Sequence, residues 1–336
     1  MIPLSRPLVQ QKSWQQQLSS AFKQPQRLLE YLQLDQHAQI SEPLAHQQFK
    51  TLVTQDFADC MHKGDPDDPL LRQVLPVNAE LEAQPAHFNS DPVGDLLAEA
   101  APGVLHKYPS RVLLISTAAC AIHCRYCFRR HFPYQESTAH LSRLSEGLAY
   151  IRKNPQINEV ILSGGDPLIL ADEQLEKLIA ELEQIAHVKT LRIHSRLPVV
   201  LPDRLNLSLK KLLERSRLQS VLVIHSNHYR ELSDKVQNAL SQFQFDRLTL
   251  LNQAVLLNGV NNDADTLSKL SHRLFACRVL PYYLHMPDAV TGSAHFHVSS
   301  EEAALLMHQI RCQLPGYLVP KLVLDLPASH YKKNPF

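Results

Sequence analysis

The chain has 336 residues, 44% hydrophobic and 20% charged, with a formal net charge of +1. That length supports one large domain or two smaller ones, and the near-neutral balance excludes a general electrostatic attraction to nucleic acid or membrane. No apolar run approaches the ~20 residues of a membrane span, and MIPLSRPLVQQKSWQQQ has no apolar stretch of a secretion signal. The expected compartment is therefore the cytoplasm, where clustered thiols more often bind metal than form disulfides.

The first hundred residues are rich in Gln, Leu and His. SWQQQLSSAFKQPQRLLEYLQL has apolar residues at helical spacing, which predicts helices that bury Trp14, Phe22, Leu28, Leu29, Tyr31 and Leu32. NSDPVGDLLAEAAPG, residues 89–103, reads as a linker, and no internal repeat is present. From residue 111 short apolar runs recur: RVLLIST (111–117), EVILSGG (159–165), TLRIHS (190–195), SVLVIHS (220–226), LTLLNQAVL (248–256) and RVLPYYLH (278–285). Helical stretches such as LADEQLEKLIAELEQIA (170–186) and DKVQNALSQF (234–243) separate them. Apolar strands alternating with helices predict a parallel sheet covered by helices. Six such units suit an α/β partial barrel, a (β/α)6 TIM-like architecture, whose chemistry collects at the C-terminal strand ends. Polar residues recur there: Thr117, Gly164-Gly165-Asp166, His194-Ser195-Arg196, His225-Ser226-Asn227, Asn252-Gln253 and Asp288.

Three of the six cysteines lie in CAIHCRYCFRR, residues 120–130. Structural zinc usually takes four ligands, with its cysteines in two paired knuckles. Cys120, Cys124 and Cys127 have no second pair, and Cys60, Cys277 and Cys312 read as isolated, buried apolar residues. A CxxxCxxC loop suits three corners of a [4Fe–4S] cluster whose usual ligand set is four cysteines. The fourth iron is then open to a chelating amine and carboxylate. This pattern, directly after the first barrel strand and with Tyr126 before the third cysteine, resembles the radical S-adenosylmethionine (SAM) superfamily. In that superfamily the Gly164-Gly165-Asp166-Pro167 turn grips the methionine amine. Two glycines also permit close backbone approach.

The run from DPVGDLLAEAAPGVLHKYPSRVLLIST through CAIHCRYCFRRHFPY, VILSGGDPLIL, LRIHSRLPVVLP, LNQAVLLNGVN, LPYYLHMPD and YLVPKLVLDLP resembles lysine 2,3-aminomutases over residues 88–327. CRYCFRRHFPY and LPYYLH are most similar to the bacterial branch that serves elongation factor P modification. The resemblance implies a radical isomerase that moves the α-amino group of L-lysine to the β-carbon. Its cofactors would be a [4Fe–4S] cluster, SAM and pyridoxal 5′-phosphate (PLP). Its partners would be L-lysine, a reducing protein such as flavodoxin and, indirectly, the lysyl ligase of elongation factor P, with no membrane or nucleic acid. An aminomutase for another amino acid, or a non-catalytic iron–sulfur or zinc protein, are the alternatives, and the assembly state is open.

Residue by residue, the resemblance implies that Arg129 holds the substrate carboxylate, as a guanidinium fork suits. Asp288 and Asp325 would hold the ε-ammonium, and two acids there would repel a glutamate side chain. Arg111, Lys107 and Tyr108 fall at the PLP phosphate. Gly164, Gly165, Asp166, Arg196, His225 and Gln253 fall at SAM. The family's PLP lysine sits in a glycine-rich stretch seven residues after the second Asp, a count that lands on Lys332. Here the stretch is LPASHYKKNPF, with Ala328, Ser329, His330 and Tyr331 in place of glycines and Lys333 as an adjacent alternative. The expected organisation is a helical region over 1–100, a radical SAM partial barrel over 101–316 and a PLP and substrate segment over 317–336.

Overall fold

Strand positions follow the apolar runs. The computed structural model describes residues 12–133, 141–327, 329 and 331–335; Ala328 and His330 of the tail lie outside them. Nine strands form one sheet in sequential order: β1 (Glu99–Ala101), β2 (Val104–Tyr108), β3 (Arg111–Thr117), β4 (Glu159–Gly164), β5 (Thr190–Ser195), β6 (Gln219–His225), β7 (Leu248–Val255), β8 (Leu280–His285) and β9 (Lys321–Val323). β1–β3 are antiparallel and β3–β9 are parallel. Helices Leu141–Lys153, Asp172–Glu183, Leu207–Arg215, Asp234–Gln242, Ala264–Ala276 and Ser300–Gln313 make the six crossovers. All six expected strands are present, in the partial-barrel arrangement expected of them.

Two expectations change. The 89–103 segment is more than a linker, because Glu99–Ala101 opens the sheet as β1. The expected helices over 13–34 are short ones, Trp14–Ser19 and Pro25–Tyr31, since a proline starts the second at its N1 position. Their predicted face is buried at Trp14, Leu28, Leu29 and Leu32, with Phe22 and Tyr31 packed at its edge. One apolar cluster runs from Trp14 through the strands to Leu322, so the N-terminal helices share the barrel's core. Of the isolated cysteines, Cys277 is buried and Cys60 half-buried, but Cys312 is exposed on helix Ser300–Gln313. No helix among the described residues is long and apolar enough to cross a membrane.

Candidate active site

A partly open cavity of about 300 Å³ runs from the C-terminal strand ends down to Arg111 and Arg192, near the starts of β3 and β5. Every residue singled out for the site lines it except Lys333. Most of them converge because successive parallel strands end on one rim, whereas Lys107, Tyr108 and Arg111 come from the β2–β3 hairpin at the other end of β3.

The cysteine loop is built against the N-terminal region. The Arg125 guanidinium donates to Glu80 at 2.8 and 2.5 Å and to the Phe49 and Ala45 carbonyls at 2.6 and 3.2 Å. Arg130 donates to the same Glu80 carboxylate at 2.8 Å. His123 N–H donates to the Leu52 carbonyl at 2.9 Å, and Arg125 N–H to that of Gln73 at 2.8 Å. These bonds pin alternate residues of the loop and leave its thiols facing the cavity. Burial pushes the Cys127 thiol up to about 11, with Cys124 adding to the shift. Burial also pushes Cys120 well above its usual value, with Cys127, Asp166 and Cys124 adding. Half-buried thiols that resist ionising in one another's company suit a strongly cationic occupant, which is what metal ligation requires.

Below the loop, Arg196 is buried and donates to Cys124 Sγ (2.7 Å), Tyr126 Oη (2.6 Å), Gln73 Oε1 (2.7 Å) and Glu231 Oε2 (3.3 Å). Burial works against its charge, but Cys124, Tyr126 and Glu231 outweigh it and raise its pKa. Tyr126 Oη also pairs with His225 Nε2 at 2.8 Å and accepts from Asn227 at 2.7 Å. Arg196 and His225, both expected at SAM, are therefore joined through the tyrosine of the cysteine loop. Burial, then Arg196 and His194, push His225 well below its usual value, so it is neutral.

The Gly164-Gly165 turn has a second reason for its glycines. Gly164 has φ +113°, and a Cβ at Gly165 would lie 2.2 Å from the Ala119 carbonyl oxygen. Gly165 N–H donates to the Thr117 carbonyl and Asp166 N–H to that of Ala119, both at 2.7 Å. The turn therefore packs backbone to backbone on the root of the cysteine loop. The Asp166 carboxylate is occupied within the protein. It accepts from Ser195 Oγ (2.7 Å), Arg196 N–H (2.7 Å), Leu168 N–H (3.1 Å) and Leu197 N–H (3.1 Å). It thereby ties the turn to the end of β5. Gly165→Ala is expected to displace residues 117–120, at about 1–3 kcal/mol of overpacking, and to lose most of the iron taken up on anaerobic reconstitution. Iron and sulfide analysis against wild type checks this.

Two residues past Cys127, Arg129 Nε donates to Asp95 Oδ2 at 2.7 Å and its Nη1 to Ser163 Oγ, next to the glycine turn, at 3.2 Å. Lys107, expected at a phosphate, ion-pairs with Asp95 Oδ1 at 2.7 Å and donates to the Val93 carbonyl at 2.8 Å. Arg111 stacks over the Tyr108 ring at 4.0 Å across the β2–β3 turn. Burial, with Asp325 nearby, pushes the Tyr108 hydroxyl up to about 12.

The two acids meet beyond the ends of β8 and β9. Burial and then Asp325 push the Asp288 carboxyl up to about 7, against the opposing charges of Lys332 and Lys107. Lys332 ion-pairs with Asp325 and sits 6.0 Å from the Tyr283 ring centroid. The tail is shaped by a backbone bridge and not by glycines: Leu324 N–H donates to the Lys333 carbonyl at 2.8 Å, and Lys333 N–H to that of Leu324 at 3.0 Å. Neighbours on extended backbone point to opposite sides. Lys332 accordingly lines the cavity and Lys333 is exposed.

Several lining residues carried no signal of their own in the sequence. Asp95 lies in the segment read as a linker, and Gln73, buried at the end of the helix Pro69–Arg72, supports the lining residue Arg196 from behind. Arg192 and His194 point inward from β5, whose alternating burial is the trace of a strand with one polar face inside the barrel.

Three cysteines on a loop after the first parallel strand, a glycine turn after the next and a cavity within a partial barrel define a radical SAM enzyme. In agreement, the sequence profile of the Radical SAM superfamily matches residues 114–270. The chain is 43% identical to an L-lysine 2,3-aminomutase of Escherichia coli over 96% of this chain and 94% of that one. It is 41% identical to the Haemophilus influenzae L-lysine 2,3-aminomutase over 99% and 98%, and 33% identical to that of Clostridium subterminale over 94% and 76%. The chain belongs to the radical SAM L-lysine 2,3-aminomutase family, a family of isomerases.

Proposed function

We propose that this enzyme converts L-lysine to β-lysine, using a [4Fe–4S] cluster, SAM and PLP. The observation that carries the proposal is the set of charges lining one cavity: Arg129, the two acids Asp288 and Asp325, and Lys332 paired with Asp325. That pattern matches a substrate with a carboxylate at one end and an ammonium at the other. Glutamate, with a second carboxylate, would meet Asp288 and Asp325 with repulsion.

The residues present fit the three groups. Cys120, Cys124 and Cys127 would ligate three irons. Gly164 and Gly165 offer backbone to the methionine end of SAM, and Asp166 fixes the turn. Arg196, His225 and Gln253 form the wall beside the cluster loop. Arg111 and Tyr108 would take the PLP phosphate, and Lys107 contributes charge from its place on Asp95. Bound together, the cluster and SAM supply a carbon radical, and PLP supplies a π-system that lets nitrogen migrate. The protein's own work is positional. Arg129 holds the carboxylate, Asp288 and Asp325 hold the ε-ammonium, and the cavity walls limit water around the reacting carbon. Lys332 presents its amine to the pyridoxal aldehyde. Lys333 is exposed and faces away from the cavity.

We further propose a cytoplasmic enzyme, reduced by a flavodoxin-like protein, whose product is attached to elongation factor P by a lysyl ligase. The resemblance of CRYCFRRHFPY and LPYYLH to that bacterial branch supports this. The test is anaerobic incubation of reconstituted protein with dithionite, SAM, PLP and L-lysine, omitting one component at a time. β-Lysine is expected only in the complete mixture. β-Lysine formed without PLP or SAM, or L-lysine left unconverted by fully reconstituted protein, overturns the proposal. Addition of ligase and elongation factor P then reads the downstream step as a mass increase on the factor.

A further inference from the structure

Asp95 stands in a segment whose sequence suggests a linker, yet its side chain is only 3% exposed. Its backbone is itself fixed, with Asp95 N–H donating to Asp91 Oδ1 at 2.8 Å. Each carboxylate oxygen has its own cation: Lys107 Nζ on Oδ1 and Arg129 Nε on Oδ2, both at 2.7 Å. Burial alone would raise the Asp95 pKa, but Arg129 and Lys107 outweigh it and hold the carboxyl below its usual value. Asp95 is thus ionised wherever Arg129 works.

Two consequences follow from this geometry. A guanidinium is planar, so bonding its Nε edge to Asp95 and its Nη1 to Ser163 sets the plane and not merely the place of the charge. The other oxygen of the same carboxylate holds Lys107 Nζ, so one side chain places both cations.

We propose that Asp95 is the positioning residue for the substrate carboxylate: one of its oxygens orients Arg129 while the other holds Lys107 beside it. The inference rests on the reading that Arg129 binds the carboxylate of lysine. Reaction by hydrogen transfer makes orientation matter more than affinity. A displacement of about 1 Å at the reacting carbon costs on the order of 10²-fold in rate, while the added positive charge of an Asp95→Asn variant preserves attraction for the carboxylate.

Asp95→Asn and Asp95→Glu are tested beside wild type, with cluster content, SAM cleavage to 5′-deoxyadenosine and β-lysine each measured. The expected result for Asp95→Asn is a kcat lowered about 10²-fold, with KM within roughly threefold and cluster content kept. SAM cleaved per β-lysine formed should rise, because the radical is made but misses its hydrogen. Asp95→Glu, which keeps the charge, should recover part of kcat and of the coupling. An Asp95→Asn enzyme with kcat within about threefold of wild type overturns the proposal. So does loss of iron, cleavage and product in parallel in both variants, which would make Asp95 a prop for the cysteine loop. Failure of wild type itself to convert L-lysine is a separate outcome and removes the underlying reading instead.

Discussion

Lys332→Ala is expected to lower β-lysine formation by roughly 10³-fold or more, whereas Lys333→Ala leaves it within about twofold. The two lysines are adjacent and chemically identical. What separates them is the backbone bridge between Leu324 and Lys333, which turns one side chain into the cavity and the other outward. The same experiment has a covalent readout. Borohydride treatment of PLP-loaded protein should fix a pyridoxyl group on Lys332, found by peptide mass spectrometry. A label on Lys333, or Lys333→Ala as the damaging variant, would reverse the assignment. The ion pair between Lys332 and Asp325 adds a detail. The protein's own ammonium here rests on the carboxylate that we propose takes the substrate's ammonium. Lys332 is one of the cations that hold the Asp288 pKa down, so Lys332→Ala should also raise the pH at which Asp288 ionises.

Asp288→Asn is expected to raise the KM for L-lysine by at least about 10²-fold, since removing one partner of a buried charge pair costs about 3–5 kcal/mol. The pH dependence follows from the same residue. Asp288 is pushed up to about 7, first by burial and then by Asp325. Only its ionised form attracts the ε-ammonium. Lysine affinity should therefore be flat above about pH 7 and fall about tenfold per pH unit below it. Calorimetry in buffers of different ionisation enthalpy should show a proton released on binding below pH 7. The stability effect has the opposite sign. The folded value lies above the ordinary 3.8, so Asp288 stabilises the fold fully at low pH, and that contribution is lost as pH rises through about 7. At pH 8 the unliganded Asp288→Asn protein should melt higher than wild type, by about 2 °C, while binding lysine poorly. A site residue that costs stability and supplies affinity is a familiar trade. An Asp288→Asn enzyme with unchanged KM would remove Asp288 from the substrate site.

The barrel was legible because β3, β4 and β6 are near-continuous apolar runs, as burial on two faces demands, and β5 and β7 alternate at regular spacing between them. The cysteines were legible because a loop of eight residues carries all three. β1 was not, since Glu99-Ala100-Ala101 has no strand-forming residue and exists as a strand only through pairing with β2. Asp95 was hidden for a different reason. Its partners lie 12 and 34 positions away, and only the folded chain brings them to one carboxylate. Gln73 contacts Arg196 across 123 positions. The glycines at 164 and 165 were read for closeness to a ligand, and the structure adds closeness to the chain itself. The count from Asp325 favours Lys332, and the pairing of the tail, which the sequence does not show, places Lys332 at the cavity and leaves Lys333 exposed.

The central claim is that one cavity places a radical source on the cysteine side within reach of a lysine held between Arg129 and the two acids. L-Lysine carrying deuterium at its β-carbon tests this most directly, with 5′-deoxyadenosine and β-lysine analysed by mass spectrometry after anaerobic turnover. Deuterium should appear in 5′-deoxyadenosine and be distributed back into β-lysine. β-Lysine formed with no deuterium in 5′-deoxyadenosine, or 5′-deoxyadenosine formed without label while lysine stays unchanged, would contradict the account.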